Sequence, residues 1–176
     1  MIFSETSLTG AYVIEIEKIE DERGFFARTM DIKKNEEVGL DSNIIQSSIS
    51  FNIKKGTIRG MHYQIEPYEE VKFVRCTKGK VFDVIVDLRK DSETYKKWIS
   101  VELSESNHKI FYIPKGFAHG FQTLEDNSEV LYEITQTFNP EYSRGFRFDN
   151  DAYKIKWPLD VSSISKKDSE YGLFSE

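Results

Sequence analysis

The chain has 176 residues, 39% hydrophobic and 31% charged, enough for one compact domain with a real core and not comfortably enough for two. A net charge of −6 excludes a broad nucleic-acid footprint, because binding a phosphate backbone non-specifically needs a clear surplus of Lys and Arg. A lone cysteine, Cys76, excludes an intramolecular disulfide, and no stretch approaches the length of a membrane span.

Met1 to Gly10 lack the basic start and apolar run of a secretion signal, so a cytoplasmic location is expected. Thirteen Phe and nine Tyr against three Met favour a β-rich interior, where flat rings pack between sheets. The first strand-like segment is Tyr12 to Ile19, and Asp31 to Gly39 (DIKKNEEVG) is the best short-helix candidate. A second strand runs over Ile44 to Ser50, and a third is entered through Gly60 in the stretch Gly56 to Gln64.

Lys72 to Arg89 (KFVRCTKGKVFDVIVDLR) gives two β-branched runs around Lys78-Gly79 and predicts a hairpin. Cys76 lies within that apolar pattern, as expected of a buried, inert thiol. ISVELSESNHKIFYIP predicts a second strand pair connected by Ser104 to His108 and ended by Pro114, and Val130 to Thr137 supplies a further strand. Many short strands separated by Gly, Asn or Asp turns predict an all-β fold, a double-sheet jelly roll with a few short helices. From Val161 onward the composition is polar and predicts a frayed terminus.

Only three histidines are present. His62 sits beside Arg59 in a strand-like stretch, where it is either a base or a structural histidine satisfied by its neighbours. His119 lies among Gly116, Gly120, Phe117 and Phe121, a bend suited to lining a cavity, whereas His108 falls in a polar turn and reads as solvated. A jelly roll with histidines invites a metal reading, but Gln64 stands where a His-x-His pair would place its second ligand, and Glu66 or Glu69 would have to serve without it. A metal-free base needs a carboxylate partner, and Asp83, Asp87, Asp151 and Asp168 all qualify by chemistry. Proton abstraction beside a carbonyl also needs a positive group for the enolate oxygen, a role open to Lys72.

Taken in order, Asp21-Glu22-Arg23-Gly24-Phe25-Phe26, Arg59-Gly60-Met61-His62-Tyr63-Gln64, Lys72, the run Val81 to Arg89, Ile113 to Phe121, Leu131-Tyr132, Ile155-Lys156-Trp157-Pro158 and Ser165-Lys166-Lys167-Asp168 form a pattern spanning nearly the whole chain. The pattern resembles the dTDP-4-dehydrorhamnose 3,5-epimerase family. The resemblance implies a metal-free, cofactor-independent cupin-type jelly roll that dimerises and inverts carbons flanking the C4 ketone of a nucleotide-linked 6-deoxyhexose. It implies His62 as base, Asp168 as its partner, Lys72 as enolate stabiliser and Tyr132 as the acid on the opposite face, so the polar tail would enter the active site. Substrate-binding positions would be Arg23, Phe26, Gln46, Arg59, His119, Phe121 and Phe138, with Arg23 and Phe26 reaching the neighbouring subunit's site.

Several pocket positions depart from the family pattern. Arg28 and Ser143 stand where glutamates are usual, Gln46-Ser47-Ser48 where Gln-x-Asn is usual, and Phe138 where Tyr is usual. Phe148-Asp149-Asn150-Asp151 replaces Trp-x-Asp-Pro. These changes bear on the sugar, the base or the number of carbons inverted more than on proton transfer. The rivals are a ketoisomerase on the same barrel, disfavoured by Gln64, and a non-catalytic sugar-nucleotide-binding cupin, which requires His62, Lys72, Tyr132 and Asp168 to be scattered.

Overall fold

A computed structural model of the chain describes residues 1–173. In chain order the elements are β1 (Ile2–Glu5), β2 (Tyr12–Glu15), β3 (Ile19–Asp21), β4 (Gly24–Phe26), α1 (Ile32–Glu37), β5 (Gln46–Asn52), β6 (Thr57–Gln64), β7 (Lys72–Lys78) and β8 (Lys80–Asp87). They continue with β9 (Trp98–Ser104), β10 (Ile110–Ile113), β11 (Phe117–Thr123), β12 (Ser128–Ile134), β13 (Ser143–Gly145), β14 (Ser163–Ile164) and α2 (Lys166–Glu170). A first sheet runs β1-β2-β10-β7-β12-β5 and a second runs β13-β6-β11-β8-β9, while β3 and β4 pair as a separate ribbon. This is the double-sheet jelly roll expected from the strand spacing, of the cupin type that the resemblance implies.

The central strands are covered on both faces, which explains why they read as unbroken apolar runs rather than as alternating ones. Between the sheets lie Leu8, Val74, Val81, Ile85, Leu103, Phe111, Phe117, Phe121 and Val130. On the outer face of the first sheet, Ile14, Phe73, Ile110 and Tyr112 are covered by Leu40 and the segment around α1. On the outer face of the second, Met61, Val84, Val86 and Ala118 are covered by Phe146, Tyr153 and Trp157. Cys76 is buried as expected, and burial pushes its thiol up to about 11.

Neither predicted strand pair is a hairpin. The chain reverses at Gly79 (φ +71°), but β7 pairs with β10 and β12 whereas β8 pairs with β11 and β9. The turn therefore passes from one sheet to the other, and the segment between β9 and β10 does the same. A tight turn fixes a change of direction, while partners are chosen by burial on two faces, which a local pattern cannot report. The predicted helix is present as α1, with Asp31 as N-cap accepting a hydrogen bond from the Lys34 amide and Gly39 following in the left-handed region.

The polar tail is not frayed over its described part. β14 adds in parallel to β6, and Ser165 caps α2 by accepting from the Asp168 amide. The pattern Ser-x-x-Asp at 165–168 carries that capping signal, which composition alone hides. No helix among the described residues is long and apolar enough to cross a membrane.

Candidate active site

A cavity of about 480 Å³ opens between the two sheets. The second sheet contributes Arg59, His62, Tyr63 and Gln64 from β6 and His119 and Phe121 from β11. The first contributes Ser48, Ile49 and Ser50 from β5, Lys72 from β7 and Tyr132 from β12. His62 and Tyr132 thus approach the cavity from opposite walls. His62 is set by an unusually close approach of β6 to β11: a Cβ on Gly60 (φ +122°) would lie 2.6 Å from the Gly120 Cα. Only glycine fits there, and the resulting register places His62 opposite His119.

His62 Nε2 lies 2.7 Å from Asp168 Oδ1. The second carboxylate oxygen of Asp168 accepts the Gly60 amide at 3.3 Å, so one side chain ties the base to the strand that carries it. Burial pushes the Asp168 carboxyl up, but the His62 hydrogen bond and charge, with Gly60 and Ser165, outweigh it and hold the group below the usual carboxylate range. A carboxylate at this position fixes the imidazole and stabilises it once protonated.

A second pair stands beside the first. His119 Nε2 lies 2.9 Å from both oxygens of Asp83, and both side chains are buried. Burial raises the Asp83 carboxyl, with His119 opposing the shift. The His119 ring meets Tyr132 edge-on, with centroids 5.9 Å apart. Burial, and then the Asp83 charge, push the Tyr132 phenol far up, so it is held neutral with a proton to give. Lys72 Nζ is 2.9 Å from Glu70 Oε1, and Arg59 is steadied by Nε donating to Asn52 Oδ1 at 2.7 Å.

The match to the family model for dTDP-4-dehydrorhamnose 3,5-epimerase spans residues 5–176. The chain belongs to this family. A dTDP-4-dehydrorhamnose 3,5-epimerase from Methanothermobacter thermautotrophicus is 42% identical over 172 residues, covering 96% of this chain and 92% of its own. The crystal structure of the enzyme from Bacillus anthracis with TDP and PPi bound superposes with a TM-score of 0.95 at 36% identity, covering 98% of this chain and 99% of that one. The Legionella pneumophila dTDP-6-deoxy-D-glucose-3,5-epimerase in complex with dTDP-4-keto-L-rhamnose gives 0.91 at 36% identity, covering 98% and 92%. Epimerases are isomerases, and this family member is one by descent.

Of the residues singled out in the sequence, His62, Lys72, Tyr132, Arg59, His119, Phe121 and Phe138 line one cavity of this epimerase, with Asp168 directly behind His62. The scattering required of a non-catalytic cupin is absent for His62, Lys72, Tyr132 and Asp168. Gln46 does not line the cavity; its Oε1 accepts the Phe138 amide at 2.9 Å and so positions the aromatic. Arg23 and Phe26 stand away from it on the exposed β3–β4 ribbon, Arg23 paired with Asp21 and Phe26 beside a separate cavity of about 280 Å³. Among the departures, Ser48 and Ser143 face the cavity, whereas Arg28 lies by the smaller one and Asn150 is buried in a turn. His108 is not simply solvated, because its ring packs edge-on against Phe25 at 5.2 Å.

Three contributors were not singled out. Lys167, on α2, brings a third cation to the cavity. Tyr171 packs edge-on against His62 with centroids 5.9 Å apart, in space that Gly145 leaves open, since a Cβ there would come within 2.5 Å of the tyrosine ring. Glu70 is the third. Gln64, weighed as a missing metal ligand, is instead fully engaged: its two Nε2 hydrogens are shared among Tyr68 O, Glu70 Oε2 and Thr137 O, and its Oε1 accepts the Asn139 amide.

Proposed function

We propose that the chain, as one epimerase domain, inverts C3, C5 or both in a 4-keto-6-deoxyhexose carried on a nucleoside diphosphate, with dTDP-4-dehydro-6-deoxyglucose as the reference substrate. The observation that carries this reading is the His62–Asp168 pair facing a cavity whose opposite wall holds Tyr132 and Lys72. His62 takes the proton from the carbon next to the C4 ketone, and the C–H electron pair becomes an enolate whose oxygen is held by the Lys72 ammonium. Tyr132 returns a proton from the other face, the tyrosinate is reprotonated from solvent, and His62 releases the proton it took. Nothing is oxidised or reduced, so the chain of transfers is an isomerisation.

Arg59 and Lys167 supply cations for the diphosphate, and the half-exposed Phe138 ring offers a stacking face for the base. Dimerisation belongs to the same reading. The β3–β4 ribbon exposes Ile19, Phe25 and Phe26, and the edge strand β5 exposes Ile49 and Phe51, apolar area that a second copy of the chain would cover. Arg23 and Phe26, remote from their own cavity, would then serve the partner's. A single buried thiol fits a reducing compartment, and we place the enzyme in the cytoplasm.

The test is incubation with a panel of 4-keto nucleotide sugars in deuterated water, read by NMR. Deuterium at C3, at C5 or at both is the expected result for at least one donor and reports which carbons are inverted. A panel without exchange at either carbon would sink the proposal.

A further inference from the structure

Glu70 occupies a place in the cavity wall that the mechanism above leaves unused. Val71 is buried and clamped to the end of β12, its amide donating to Thr135 Oγ1 at 3.0 Å and its carbonyl accepting the Thr135 amide at 3.1 Å. Side chains alternate along an extended segment, so with Val71 turned into the outer core its two neighbours turn the other way. Glu70 and Lys72 therefore both face the cavity, and each side chain is only 11% exposed.

The donors and acceptors at this point allow one kind of group. Glu70 Oε1 faces the Lys72 ammonium at 2.9 Å, and Oε2 accepts from Gln64 Nε2 at 3.0 Å. Gln64 cannot turn its amide round, because its Oε1 already accepts the Asn139 amide at 2.7 Å and its Nε2 also meets the Tyr68 and Thr137 carbonyls. Position 70 thus sits between two donors and calls for a group that only accepts, which an ionised carboxylate is and an amide is not.

We propose that Glu70 is a positioning residue that holds the Lys72 ammonium ready for the enolate oxygen. This rests on the role given to Lys72 above. A lysine stem has four freely rotating torsions, and a group that must wait for developing charge works best when it is already aimed. Glu70 takes one of the three ammonium hydrogens and thereby fixes the stem, leaving the others for the cavity. Gln64 in turn fixes Glu70 to the loops at 68 and 137–139. Its effect belongs to the rate of proton removal rather than to nucleotide binding.

A double-mutant cycle of Glu70→Gln, Lys72→Met and both together tests this, with deuterium exchange at the sugar, dTDP affinity and thermal unfolding measured for each. Expected for Glu70→Gln is a fall in kcat of roughly 10- to 100-fold with dTDP affinity within about twofold of the parent. In the Lys72→Met background the same change should have almost no further effect on rate, because the residue acts through Lys72. A Glu70→Gln enzyme as fast as the parent, or one whose loss is equally large without Lys72, overturns the inference. A Lys72→Met enzyme as fast as the parent instead removes the underlying role of Lys72, so the two failures are distinguishable. Should the amide variant not fold, Glu70→Asp carries the test: it keeps an acceptor-only group drawn back by one methylene, and unchanged kcat there likewise overturns the proposal.

Discussion

At the scale of single residues, the site consists of two histidine–carboxylate pairs with different surroundings. His62 is open to the cavity and its partner Asp168 is held as an anion, while His119 and Asp83 are buried, only His119 bordering the cavity, and the Asp83 carboxyl is raised. The first pair is suited to taking and releasing a proton, and the second to forming a rigid polar wall beside Tyr132. Replacing Asp168 by Asn keeps the shape but removes the charge that stabilises protonated His62. Asp168→Asn is expected to lower kcat by about 100-fold or more, with dTDP affinity little changed; activity near the parent's would show that the pair is structural. In the sequence, His62 was legible as one base among three histidines, and the ordered motifs selected its partner from four aspartates. The Asp83–His119 pairing and the Glu70–Lys72 contact were not legible, because each joins residues whose proximity depends on sheet register or on the side-chain direction of a loop.

At the scale of elements, the strands were legible and their partners were not. The Val81 to Asp87 run is buried on both sides, so its apolar continuity marks a central strand without saying which sheet receives it. The close of that strand also carries a concentrated polar cluster. Asp87 receives hydrogen bonds from the Arg89 amide and guanidinium and from the Ser92 and Thr94 hydroxyls, and the Arg89 guanidinium lies 4.5 Å from the centre of the Phe117 ring. Burial alone would raise the Asp87 carboxyl, but these donors bring it from 3.8 down to about 2. A depressed carboxylate stabilises the fold above its unfolded value and ceases to do so as pH falls through the folded one. The cluster should therefore contribute about 2 kcal/mol above pH ~4 and lose it between pH ~4 and ~2. Asp87→Asn is expected to lower stability at pH 7 by at least that amount and to flatten the acid limb of the stability profile, measured by urea unfolding across pH. An unchanged profile would mean that the cluster does not act through ionisation.

At the scale of the whole molecule, the exposed apolar residues include Ile19, Phe25 and Phe26 on the β3–β4 ribbon and Ile49 and Phe51 on the edge strand β5. The reading of a dimer expects the purified chain to sediment at twice its monomer mass, and expects Phe26→Asp to weaken both the dimer and activity. A monomeric parent with full activity would assign Arg23 and Phe26 no part in the site. The central claim, however, is that inversion is divided between two walls of one cavity, removal by His62 from the second sheet and return by Tyr132 from the first. The most direct measurement follows solvent deuterium entering C3 and C5 of the 4-keto sugar alongside formation of the inverted product, in the parent, His62→Ala and Tyr132→Phe. The account predicts no exchange and no product for His62→Ala, and exchange that outpaces inversion for Tyr132→Phe. Full turnover by the His62 variant, or exchange and inversion falling together in the Tyr132 variant as they do in the His62 variant, would contradict it.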